Sequence, residues 1–243
     1  MKTCLIKQHA GLGDILYTLK IAKTMIERGY HVIWPVISHY SFISKYIKIK
    51  NLVFVDENKS FPYKGIYLRG IPVPPTDDFI FIPIQIADQI YPHLPILGSK
   101  YALAAMSCEG WVDYVKITRN KDKEKSLYYD VLKLKDNEEY TFVNSIYGSP
   151  PDSKKLVGIN PASKNKIVEM RYVDGYNPFD WSFVLEQAAA IYTVDTCFTY
   201  ILEALGTKTK EWNMYSRRDY DDFIYQIKPY FTDSWNFLSI KEE

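Results

Sequence analysis

Apolar residues along the first half of the chain fall into short continuous runs that alternate with stretches of helical period. That pattern predicts strands and helices taking turns. Thr3–Lys7 reads as a short buried strand; Gly11-Leu12-Gly13 forms a turn, and Asp14 opens a helix in which Ile15, Leu19, Ala22 and Ile26 recur at helical spacing before Gly29 stops it. His31–Ile37 reads as a second strand, and Pro35 in its middle predicts an edge position or a bulge. Tyr40–Lys48 has the pattern of a short amphipathic helix and Leu52–Asp56 that of a third strand. Ser60–Asp78 is turn-rich, with a short extended piece expected over Gly65–Arg69; Phe79–Ile86 is apolar enough for a buried strand, and Lys100–Cys108 is helix-like.

Lys116–Glu139 breaks this rhythm with two mixed-charge runs, the composition of a solvated face. It makes the natural boundary, so the sequence predicts two domains, 1–135 and 136–243, with a short helix over Tyr128–Leu134 inside the linker. The second half restarts with strands over Tyr140–Tyr147 and Leu156–Asn160, a helix over Phe179–Ala188, a strand over Ala190–Val194 and a helix over Cys197–Leu205 closed by Gly206. Lys208–Tyr215 reads as a last core strand and Asp221–Tyr230 as a final helix. Strand–helix–strand order in both halves argues for α/β architecture with parallel sheets.

Composition narrows the function classes. With 47% hydrophobic and 24% charged residues and a net charge of +1, the 243-residue chain can form ordinary cores and lacks the basic surplus of a nucleic-acid binder. No apolar run approaches the roughly 20 residues of a membrane span, and Lys7, Gln8 and His9 interrupt the opening apolar run too early for a signal peptide. Three scattered cysteines fit reduced thiols in a cytoplasmic setting, and neither they nor the four histidines have metal-ligand spacing. No metal and no resident cofactor is expected.

Chemistry concentrates at two strand-to-helix junctions. The first, Gly11–Asp14, has the form of an anion-binding turn. It lacks the third glycine of G-x-G-x-x-G, having Leu16 there, and a pyrophosphate on this turn would meet the Asp14 carboxylate. Asp14 is open to two readings: a helix cap that satisfies free N–H groups, or a general base at the carboxyl end of a strand. At the second junction, Asp195 and Thr196 precede a helix whose free N–H groups and dipole suit a nucleotide diphosphate. Ser163, Lys164 and Lys166 follow another expected strand on the same edge, and Arg171 is a further cation for phosphate oxygens. The plainer alternative makes Asp195 or Thr196 a cap and leaves the lysines solvated.

The run LIKQHAGLGDILYTLK resembles the opening of the heptosyltransferase-type glycosyltransferases, with Lys20 where that family usually has proline. AIYTVDTCFTYILEALG resembles the family's donor-site run, with Cys197 at its usual glycine and Tyr200 at its usual histidine, and Asn160-Pro161-Ala162-Ser163-Lys164 resembles its diphosphate loop. The two main matches fall in opposite halves in the family's order. The resemblance implies two Rossmann-like domains facing across a cleft, the GT-B arrangement. It implies a nucleotide-sugar donor on the second domain and a carbohydrate or glycoconjugate acceptor beneath the Gly11–Gly13 turn. Asp14 becomes the base of an inverting, metal-independent transfer. Two alternatives stay open: a degenerate nucleotide-binding scaffold, and a nucleotide-sugar epimerase.

Overall fold

The computed structural model describes residues 2–148, 155–161, 163–207, 209, 211–217 and 219–239. The chain divides into two compact units, Met1–Thr118 and Arg119–Glu243.

The first unit is built on four parallel strands, β1 (Thr3–Ile6), β2 (His31–Val36), β3 (Leu52–Asp56) and β4 (Phe79–Ile82), in the order β3-β2-β1-β4. Every residue of β1 is buried, which is why it shows an unbroken apolar run instead of alternation. Helices α1 (Leu12–Tyr17), α2 (Leu19–Glu27), α3 (Ile43–Tyr46), α4 (Lys64–Arg69), α5 (Ala87–Ile90) and α6 (Ile96–Leu103) fill the connections. The single helix expected after Gly13 is two, because the Thr18 hydroxyl donates back to the Asp14 carbonyl at 2.7 Å and the chain breaks step there. The helix-like stretch after Pro95 begins at Ile96 and ends at Leu103, ahead of the predicted span.

Pro35 does not put β2 at an edge; the strand pairs with both β1 and β3. Alternate residues of β2 turn their N–H toward β1, as His31 does to the Lys2 carbonyl at 2.8 Å and Ile37, past the strand, to that of His9 at 3.0 Å. Pro35 belongs to that set but lies beyond Leu5↔Ile33, where the β1–β2 ladder stops, so its missing N–H removes no rung. The extended piece expected over Gly65–Arg69 is instead helix α4. Burial of Tyr67 decides it: the ring packs on Phe61 at 5.4 Å and the hydroxyl donates to Glu57 at 2.7 Å. Phe79–Ile86 is strand only to Ile82, since Pro83 ends the ladder.

The second unit carries five parallel strands: β5 (Tyr140–Asn144), β8 (Lys166–Glu169), β9 (Ala190–Val194), β10 (Glu211–Tyr215) and β11 (Trp235–Leu238), ordered β11-β10-β9-β5-β8. Between β5 and β8, β6 (Ile146–Tyr147) and β7 (Lys155–Leu156) form a small antiparallel pair. Helices α7 (Lys121–Lys125), α8 (Ser182–Gln187), α9 (Cys197–Leu205) and α10 (Tyr220–Gln226) complete it. The α8 turn is entered through a capping box between Asn177 and Asp180, and Phe142 packs between Trp181 at 5.9 Å and Phe198 at 5.7 Å.

Three sequence expectations change here. Leu156–Asn160 is not a sheet strand; only Leu156 pairs, with Ile146, and Ile159 packs on Val143, Ala190 and Tyr192. Lys208 and Lys210, within the strand expected from Lys208, lie outside the described residues, as does Ala162; the strand itself runs Glu211–Tyr215. The charge-rich stretch placed as a linker ending near residue 135 belongs to the fabric of the second unit: Arg119 joins Glu124 and, at 2.7 Å, Glu186 of α8, while Tyr128 packs on Phe183 at 4.9 Å. Strand β11 was not expected. It is held by Glu203 of α9, whose Oε1 accepts from the Thr232 N–H at 3.0 Å, the Thr232 hydroxyl at 3.0 Å and the Trp235 indole N–H at 2.9 Å.

Candidate functional site

In the first unit, β1 ends in Lys7–Ala10 and the turn into α1 is made by one glycine. Gly11 has φ +78, which a residue with a Cβ adopts only at a cost; Gly13 sits inside the first turn of α1, not in the loop. The Asp14 carboxylate lies against Gly11 so closely that a Cβ there would collide with it. Its partner is Lys100 of α6, 3.4 Å away. The Lys100 side chain is 8% exposed and that of Asp14 34%, so the cation is buried and the carboxylate is open. Lys100 also donates to Gln8 Oε1 at 3.1 Å; Gln8 is pinned in turn by its own bond to the Ala10 carbonyl at 2.6 Å and by the Trp34 indole N–H on its carbonyl at 3.0 Å. His9, two residues before Gly11, keeps a buried Nδ1 with no hydrogen-bond partner among the described residues.

Sequence reading missed both Lys100 and Gln8. A signal existed for the first: Lys100 is the one charged residue in the helix ILGSKYAL, and a buried ammonium implies a nearby partner.

In the second unit the carboxyl edge gathers Asn144, Arg171, Asp195 and Thr196. Asn144, at the end of β5, donates from Nδ2 to the hydroxyls of Thr193 and Thr196, each at 3.0 Å. Thr196 therefore does not cap α9 with its side chain; its oxygen is the acceptor of an amide. Asp195 is 5% exposed and paired with Arg217, just past β10, whose Nε lies 2.9 Å from Oδ1 and 3.1 Å from Oδ2. The Arg217 guanidinium also lies 5.9 Å over the Tyr147 ring. Neither Arg217 nor Tyr147 was anticipated from the sequence. Burial pushes the pKa of the Cys197 thiol up to about 12. Tyr200 is buried against Phe231 at 5.1 Å, so at this position the ring is core.

Ser163, Lys164 and Lys166 are elsewhere. Lys166 is the first residue of β8, opposite Tyr140, and its ammonium binds Glu138 at 2.8 Å, holding that carboxyl below its usual range. Ser163 shares a 2.7 Å hydrogen bond with Thr141, near the start of β5. These residues occupy the amino edge of the sheet, the opposite end from Thr196. Asn160 is exposed on the segment that runs between the two edges, and exposed Arg171 lies two residues past β8, at the carboxyl edge.

No group of three or more histidine, cysteine, aspartate or glutamate side chains suited to a metal ion occurs among the described residues. No described helix is long and apolar enough to cross a membrane.

No protein-family model and no curated protein matches the sequence. Among solved structures, the chain is similar to the family 9 glycosyl transferase of Veillonella parvula DSM 2008, with 11% identity over 98% of this chain and 86% of that one and a TM-score of 0.51. An ADP-heptose lps heptosyltransferase II of E. coli aligns over 98% of this chain and 90% of its own at 7% identity and TM-score 0.47. A further match, the iron-containing dodecameric glycosyltransferase TibC of E. coli, covers 88% of this chain and 58% of its own at 8% identity and TM-score 0.49. The first likeness bears on the fold alone: an α/β chain with parallel sheets, similar to that of a family 9 glycosyl transferase.

Proposed function

We propose that the protein is a glycosyltransferase that moves a sugar from a nucleotide-sugar donor to an acceptor hydroxyl. The observation that carries the reading is the Asp14 pair: a carboxylate at the carboxyl end of a central strand, open to solvent while its cationic partner is buried. Such a group can take a proton at a fixed position and still be reached by a substrate. In the proposed step the acceptor O–H gives its proton to Asp14 as the oxygen bonds to the anomeric carbon. The bond from that carbon to the donor phosphate breaks, and its electron pair leaves with the nucleoside diphosphate. Attack opposite the leaving group gives inversion, and the charge that develops on the phosphate falls to the second unit's carboxyl edge, without a divalent metal. The GT-B arrangement, in which one donor–acceptor pair is served by both sheet edges, is part of this proposal.

One feature favours a second reading. Cys197, the first residue of α9, puts a side chain beside the N–H groups where a diphosphate would dock, so a protein that binds a nucleotide sugar weakly and transfers nothing is the rival. A thermal-shift screen against UDP, GDP, ADP and CMP identifies the nucleotide by the rise in melting temperature that specific binding produces. Release of nucleoside diphosphate from the matching sugar nucleotide, accelerated by a carbohydrate acceptor, supports transfer. Binding with no release under any acceptor supports the rival.

A further inference from the structure

We propose that Arg217 is the cation that receives the donor diphosphate at the carboxyl edge of the second sheet, and that Asp195 is its positioning residue; this rests on the glycosyltransfer reading above. Ser163, Lys164 and Lys166, first assigned to phosphate, lie at the amino edge, where Lys166 is engaged with Glu138 and Ser163 with Thr141. At the carboxyl edge the described cations are then exposed Arg171, past β8, and Arg217, past β10, and Arg217 is the one paired with Asp195 beside Thr196. Strand β10 pairs with β9 in the register Tyr215↔Val194, and the Asp195 N–H still reaches the Tyr215 carbonyl at 3.3 Å beyond it. Thr196 and Arg217 are each the second residue past that last pair, and the Asp195 carboxylate beside Thr196 is 2.9 Å from the Arg217 Nε.

The guanidinium is also held in orientation. Its Nε–H is directed at Asp195, its plane lies over Tyr147, and 35% of the side chain is open to solvent. A guanidinium has five N–H donors in a planar fork, the geometry that matches phosphate oxygens two at a time. Electrostatics points the same way. Asp195 is a buried carboxylate two residues before α9 begins, and alone it would repel the anion that the helix dipole attracts. Pairing with Arg217 cancels that charge and leaves the exposed side of the pair cationic.

The test is calorimetric titration of the full chain with UDP, GDP, ADP and CDP and with the corresponding nucleosides. Arg217→Gln is expected to weaken the preferred diphosphate at least tenfold and to leave nucleoside affinity within twofold of wild type. Arg217→Lys should recover only part of the loss, because an ammonium lacks the fork; it also carries the test if Arg217→Gln fails to fold. The double variant Arg217→Gln/Asp195→Asn separates contact from neutralisation. If it stays as weak as Arg217→Gln, the arginine touches phosphate; if it returns to wild-type affinity, Arg217 only cancels Asp195 and the proposal is overturned. Unchanged diphosphate affinity in both single arginine variants overturns it while glycosyltransfer stands. A wild-type chain that binds none of the four diphosphates removes both.

Discussion

Each sheet places a carboxylate–cation pair where a strand hands over to a helix, and the two pairs are built in opposite senses. In the first unit the ammonium of Lys100 is buried and the carboxylate of Asp14 is open; in the second the carboxylate of Asp195 is buried and the guanidinium of Arg217 is open. Burying an ionised group is tolerated only when its counter-charge is close, so in each pair the hidden member orients the exposed one. What faces solvent differs: an acceptor of protons at one junction and a donor of hydrogen bonds to anions at the other. In the proposed transfer these surfaces serve a hydroxyl to be deprotonated and a phosphate to be released.

The contrast breaks most sharply at Asp14. Asp14→Asn removes the base but keeps the shape, so the rate of transfer should fall at least about 100-fold while donor affinity in calorimetry stays at the wild-type value. Near-normal turnover would falsify the base assignment. The next largest effect is on stability. Lys100→Met strands the buried Gln8 oxygen and should lower the unfolding free energy by about 1–3 kcal/mol, read from urea titration. An unchanged midpoint would mean that the ammonium orients nothing. Gly11→Ala tests the fit between the turn and the carboxylate: forcing a Cβ into a left-handed position costs about 1–2 kcal/mol, and the collision with Asp14 should reduce transfer as well. If Gly11→Ala melts and turns over like wild type, the turn does not restrain Asp14.

The smallest effects concern pH. Burial pushes the thiols of Cys4 and Cys197 up to about 12 and raises the phenols of Tyr67, Tyr101 and Tyr140. A group whose folded pKa is raised lends stability that is complete below its unfolded pKa and is lost as pH climbs toward the folded one. For the two thiols that window runs from about pH 9 to about pH 12. At pH 8 iodoacetamide should therefore label Cys4 and Cys197 only slowly, the thiolate being about one part in ten thousand. Rapid labelling of Cys197 in the folded chain would show that burial does not raise its thiol as described.

Much of the second junction was legible because local signals agreed. Ala190–Val194 is β-branched and apolar, Asp195-Thr196 opens a helix, and Gly206 with φ +55 closes it. The first junction was legible for the same reason, down to Asp14 and Gly11. What sequence could not carry was which end of a strand a loop reaches. Ser163–Lys166 looked like the exit of a strand over Leu156–Asn160, but those residues cross to the other edge and enter β8, and nothing in their composition records the direction. Pairings between distant segments were hidden too, Lys100 with Asp14 and Arg217 with Asp195. The interior place of β2 was obscured by Pro35, whose harmlessness depends on where the neighbouring ladder ends. Strand β11 escaped notice because its anchor, Glu203, sits on another element.

That anchor gives the molecule a remote handle. Helix α9 is a rod of about 13 Å with Thr196 at one tip and Glu203 near the other. Whatever loosens Thr232 and Trp235 from the glutamate, a cut in that stretch or an added charge beside it, leaves a buried carboxylate oxygen without those donors, at a cost of about 1–3 kcal/mol. The far end of α9 thus fastens the edge strand of the second sheet.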